Sequence, residues 1–224
     1  MIPLELLVTA SIVLGANEAA GRAAEPGWPI VVSALFEPDS AHAVVPKTLT
    51  VRITDSTGRV IPVAFEAGPV QRDSSGWVHW VWLAGEVASG GLAPGQYSVT
   101  VDVAPADTTL WVSPGVLRVV EVGKGKPAGR ARLLIQRALL RGRDEEAMAE
   151  VNRLVLADPT DEGAWVTRGD LYMAKDLPDS ADASFNRALA LHHGEALDLW
   201  QRKRAAFQRL LEKHGVLATP SGKK

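Results

Sequence analysis

Residues able to do chemistry occur in this chain, but not in spacings that do it. Five histidines stand at His42, His79, His192, His193 and His214, and no two keep the HExxH or related spacing that sets imidazoles on one metal. His192-His193 ends a helical pattern, where a solvated pair interacting with the helix dipole competes with a metal site. The carboxylate clusters Asp144-Glu145-Glu146 and Asp161-Glu162 open helical patterns, where acidic residues favour the dipole, so capping outweighs general-acid chemistry. Ser74-Ser75-Gly76 lacks a nucleophile elbow, and Gly123-Lys124-Gly125-Lys126 lacks the spacing of a phosphate loop. Cysteine is absent, which excludes disulfides, thiolate zinc sites and cysteine nucleophiles. No catalytic residue, cofactor or metal is expected, and the chain is expected not to be an enzyme.

What the elements must position is therefore a surface, and they fall into two blocks. From Trp28 the pattern has period two: Ile30 to Phe36; Leu49, Val51 and Ile53; Ile61, Val63 and Phe65 after the turn at 55–58; Trp77 to Leu83; Tyr97 to Val103; and Val116 to Val122. Six or seven short strands predict an antiparallel sandwich over 28–122. Gly91-Leu92-Ala93-Pro94-Gly95-Gln96-Tyr97 predicts a corner in which the Tyr97 ring is buried and its hydroxyl bonds backbone. This turn resembles the entry to a late strand in bacterial immunoglobulin-like domains, which implies that fold without implying an activity. Residues 123–129 alternate Gly and Pro with Lys, read as a linker that neither holds a strand nor starts a helix.

The second block, 130–214, is helical. Trp165, Gly169 and Tyr172 share one face, and Ala181, Phe185 and Ala188 share the face of the next helix, which Pro178 opens. Gly169 sacrifices about 1 kcal/mol of helix propensity, reasonable where Phe185 must approach closely. These spacings resemble a tetratricopeptide (TPR) repeat of about 34 residues, with Arg168 where that family prefers Leu. One period earlier, Ala131, Leu134, Ile135 and Ala138, then Ala147, Val151, Leu154 and Pro159, form a copy with inverted sizes. The run from Glu195 to His214 reads as a capping helix with Ala196, Trp200, Phe207 and Leu211 on its inward face. The fold class expected is an all-β immunoglobulin-like sandwich followed by an all-α TPR-like array of about five helices.

In TPR proteins the inner faces of the first helices line a ligand groove. By position the resemblance implies Arg132 and Gln136, then Val166, Asp170 and Met173, then Gln201 and Arg204 as partner-binding residues. Arg132 and Arg204 would suit an acidic peptide or terminal carboxylate, whereas Asp170 opposes a purely anion-selective groove. The competing use of two repeats is to pack on the sandwich or dimerise. A glycan stacked on the sandwich is a further alternative, given seven tryptophans with Trp77, Trp80 and Trp82 in one strand. That strand is apolar on both faces, so one face is expected to be covered from outside the core, by the helices or a second copy.

Charge is divided: residues 25–122 carry net −5 and residues 123–224 net +4. The basic run Arg202-Lys203-Arg204 has acidic neighbours, and nucleic-acid binding is not expected. The apolar run Leu6 to Ala16, with small residues to Ala24, reads as an export segment over 1–24 lacking a basic start, or as a buried N-terminal helix. Export would place the protein in the periplasm or cell envelope, without a transmembrane span in the mature chain, and 215–224 as a disordered tail. The function expected is a non-enzymatic adaptor that binds another protein or peptide, with a homodimer also open.

Overall fold

The computed structural model describes residues 10–17, 23–38, 45–68, 70–72, 77–86, 92–104 and 110–214. His42, Ser74-Ser75-Gly76, Gly91, residues 1–9 and 18–22 of the export segment, and the tail 215–224 lie outside the described residues. The chain forms a strand-rich unit up to Gly142 and a helical unit from Arg143.

The first unit holds two sheets. One contains β1 (Ala10–Ala16), β3 (Pro29–Pro38), β6 (Glu66–Ala67), β7 (Gln71–Arg72), β8 (Val78–Glu86) and β10 (Leu110–Val112), in the order β10-β1-β3-β8-β6, with β7 also on β8. The other runs β2-β11-β9-β4-β5, from β2 (Ala23–Ala24), β11 (Gly115–Val119), β9 (Gly95–Ala104), β4 (Thr48–Thr54) and β5 (Val60–Ile61). Two pairings are parallel, β1 with β10 and β2 with β11; the others are antiparallel. Period two works as expected: Ile30, Val32, Ala34 and Phe36 from one sheet meet Ile53, Val99, Val101 and Leu117 from the other in one core. The expected strand from Ile61 to Phe65 shrinks to β5 and the separate β6, because Pro62 interrupts the ladder.

Three local devices fix the turns. The Tyr97 ring is buried and its hydroxyl donates to the Ala93 carbonyl at 2.8 Å, the corner expected from the sequence. Between β4 and β5 the Asp55 carboxylate accepts from Thr57 N, Thr57 Oγ1 and Arg59 N, while Gly58 takes φ +81°. Those bonds, chiefly the Thr57 hydroxyl, hold the Asp55 carboxyl below its usual range. At the end of β1, Asn17 adopts φ +49° fully buried, its Oδ1 accepting from Val31 N at 2.9 Å.

The run read as an export core, or alternatively as a buried helix, forms a strand at Ala10–Ala16 and not a helix; it is inserted between β3 and β10, with Ile12, Leu14 and Ala16 in the core. Its β-branched Ile12 and Val13 suit a strand, and small residues allow close sheet packing. Cleavage between Ala16 and Ala24 would remove this strand.

The linker expectation also changes. Gly125 N donates to Glu25 Oε1 at 2.7 Å, and a Cβ on Gly125 would lie 2.6 Å from the Trp28 ring. The helix α1 (Pro127–Leu140) starts directly afterwards, with Pro at its first turn, where the missing N–H is harmless. Its Leu133 and Leu140 cover Val31, Val81, Leu83 and Trp28 on the outer face of β3 and β8. The strand with two apolar faces is thus covered by a helix, as expected, but the pair pointing outward is Val81 and Leu83. Trp80 and Trp82 face into the core, with Trp80 edge-on to Phe36.

Leu133→Ala should destabilise the chain by about 2–5 kcal/mol, read from denaturant unfolding, because Leu133 is fully buried under the sheet. Leu139→Ala, on the exposed side of α1, should change it by less than about 0.5 kcal/mol. A chain beginning at Glu25 should fail to give the cooperative melt of the full chain, since it lacks β1; a melt like that of the full chain would show that the strand is dispensable.

Candidate functional site

The second unit is built from α2 (Asp144–Ala157), α3 (Glu162–Ala174), α4 (Pro178–Leu191) and α5 (Leu197–Lys213). Asp161 caps α3, accepting from Ala164 N at 3.1 Å, and Asp144, Glu145 and Glu146 sit in the first turn of α2, the roles expected for both acidic clusters. The α3–α4 turn uses Asp176 at φ +55°, and Leu177 N returns to the Tyr172 carbonyl at 2.9 Å. Gly169 is where the helices approach: a Cβ there would stand 2.3 Å from the Phe185 ring. Ala181, Phe185 and Ala206 are buried together, with Tyr172 and Met173 packed against them.

The inward face of α5 is not the one expected. Leu199 and Ala206 are buried, whereas Trp200 and Phe207 are 57% and 50% exposed and Leu197 is 70% exposed. The reason is register. Leu199 and Ala206 fall 34 residues after Trp165 and Tyr172, so the helix keeps the period and turns its aromatic residues outward.

The proposed groove residues are divided between the two units. Arg132 and Gln136 lie on α1 in the first unit, where Gln136 Oε1 is buried without a partner. Val166 and Met173 are half-buried on α3, and Gln201 and Arg204 are exposed on α5. The structure joins α3 to α5 partly through Asp170 and Met173 themselves, held by basic residues of α5 that the sequence did not assign to the groove. Arg202 bonds the carboxylates of Asp170 and Asp198, Arg209 Nη1 donates to the Met173 carbonyl at 3.4 Å, and Lys213 Nζ to the Asp176 carbonyl at 3.5 Å. Lys203 Nζ bonds Asp182 at 3.0 Å and Asn186 at 2.6 Å on α4. Partial burial pushes the Asp170 carboxyl up, against the pull of Arg202. The i, i+7, i+11 spacing of Arg202, Arg209 and Lys213 was the available signal, hidden by the run of charge at 202–204. With Arg202 already neutralised, this face offers an acidic peptide little free charge.

Aromatic side chains tell a similar story. Of Trp77, Trp80 and Trp82, only Trp77 reaches the surface, so this strand offers no stacking platform of adjacent indoles for a sugar. His192, expected to be solvated, instead bonds Glu162 Oε1 through Nδ1 at 2.8 Å and the Glu195 carbonyl through Nε2 at 3.2 Å. The Glu162 bond raises its pKa above the ordinary 6.5. No group of three metal-ligating side chains occurs among the described residues, and none of the described helices is long and apolar enough to cross a membrane.

Gly169→Ala should destabilise the chain by about 1–3 kcal/mol despite the gain in helix propensity, because the methyl overlaps Phe185. A smaller ring-site side chain, Phe185→Leu, should lessen the added penalty of Gly169→Ala when the two are combined in a double-mutant cycle. Glu162→Gln should return the His192 titration, followed by NMR, toward 6.5. Because the folded-state pKa is raised, the pair's contribution to stability is complete below 6.5 and fades as pH climbs through the raised value.

No family model matches this chain, and neither does any curated protein.

Proposed function

We propose that this chain is a non-enzymatic adaptor, an immunoglobulin-like sandwich carrying TPR-like helices that bind another protein. The Tyr97 corner supports the first resemblance, and the Gly169–Phe185 interlock with the 34-residue recurrence at Leu199 and Ala206 supports the second. The observation that carries the function is the exposed stripe on α5. Trp200, Arg204 and Phe207 follow one another at i, i+4, i+7 beside a face already seated on α4, and Leu197 extends the apolar surface. Large exposed aromatic side chains on one helix face mark a docking surface in a soluble protein. Such stacked helices bury their apolar faces on neighbours, so a further helix is the natural occupant. Arg204 in the middle of the stripe favours an acidic residue on that helix over a second copy, whose own Arg204 would oppose it.

Trp200→Ser/Phe207→Ser should leave the melting temperature within about 2 °C of the parent, since neither side chain is buried. The same variant should lose the partner captured by the full chain, identified by mass spectrometry. Retained capture rejects α5 as the docking face. Sedimentation velocity of the purified parent then separates a foreign helix, which leaves it monomeric, from self-association.

A further inference from the structure

We propose that the cleft between α3 and α4 around Arg168 is a recognition site for a single carboxylate presented by a protein partner. Trp165, Arg168 and Tyr172 follow one another along α3 at i, i+3, i+7 spacing. The guanidinium carbon lies 5.3 Å from the ring centroid of each aromatic, and Arg168 Nη2 donates to the Tyr172 hydroxyl at 3.2 Å. The rings fix the plane of the fork and shield it from water, which strengthens any ionic hydrogen bond made at its edge. Yet the fork is under-used. Its Nε–H is buried without a partner, and no described carboxylate pairs with it. Neighbouring cations differ: Lys175 meets Glu145, Arg202 meets Asp170 and Lys203 meets Asp182.

The same three α3 side chains line a cleft of about 160 Å³ with Ser180, Ala183 and Ser184 of α4. The Ser184 hydroxyl donates to the Ser180 carbonyl at 2.8 Å, while the Ser180 hydroxyl remains a donor for an incoming oxygen. One cation, a hydroxyl donor and a space of this size fit a planar monoanion. A carboxylate matches the fork in shape and charge, and the aromatic walls would hold the methylene or methyl beside it. Both an acidic side chain and a chain terminus present this group. This site goes beyond the docking role of α5 and does not depend on it.

The test uses the full ¹⁵N-labelled chain and follows the Arg168 Nε–H and Trp165 Nε1–H resonances. Three acetylated peptides are titrated: Gly-Gly-Ala with a free C-terminus, Gly-Gly-Asp amide, and the neutral Gly-Gly-Ala amide. At least one charged peptide should shift both resonances saturably, the neutral one should not, and the stronger charged peptide identifies the source. Arg168→Leu, which removes charge but keeps bulk between the rings, should weaken binding about tenfold or more. If that variant does not melt like the parent, Arg168→Gln serves in its place with the same expectation. The proposal is overturned by equal shifts from the neutral peptide, by no shift from either charged peptide, by unchanged affinity in a folded Arg168 variant, or by inorganic phosphate binding more tightly than acetate.

Discussion

The strand pair β3–β8 sets the terms for the first unit, because it is apolar on both faces. One face, with Phe36, Trp80 and Trp82, closes the core against the second sheet; the other, with Val31, Val81 and Leu83, needs a separate cover. Left to water, that outer face would be an apolar patch of the kind soluble domains avoid. Helix α1 supplies the cover, and this explains why the helix groups with the sheets although the sequence continues directly into further helices. It also explains the stretch before it: Gly125 has to pass close to Trp28 for α1 to start at Pro127 in the right place.

In the helical unit the comparable constraint is the close approach at Gly169 and Phe185. Once those helices touch, Ala181 and Ala206 must be small, and the period carries Leu199 inward. The polar connections then fall into place around this contact, with Arg202 on Asp170 and Lys203 on Asp182. Individually such half-exposed pairs contribute little, about 0–1 kcal/mol each, so they set the register of α5 more than its stability.

Much of this was legible in residue spacing, and the exceptions have physical causes. Gly169 with Phe185, the Tyr97 corner and the doubly apolar strand each leave a local signature that a single sequence displays. The direction in which α5 faces was harder to read, because Leu199 and Trp200 are both apolar and the helical pattern of α5 alone accepts either; only the 34-residue period from Trp165 and Tyr172 selects Leu199 and Ala206. β1 was not legible as a strand because eleven apolar and small residues satisfy an export segment and a buried strand equally well. The short strands β2, β5, β6 and β7 are two residues long and leave no periodicity to read. Arg168 was visible as a departure from the repeat pattern, but its flanking by two rings on one helix face became meaningful only with the α4 serines beside it.

The fastening of Gly125 to Glu25 and Trp28 has a mechanical consequence. Tension applied from the helical end of the chain does not reach β11 first. It must shear α1 along the outer face of β3 and β8, then pull Gly125 from the Glu25 carboxylate, before β11 of the second sheet bears any load. Shearing a packed helix breaks many contacts together, whereas peeling an edge strand breaks them one at a time. The sheets are therefore buffered against force arriving through the helices.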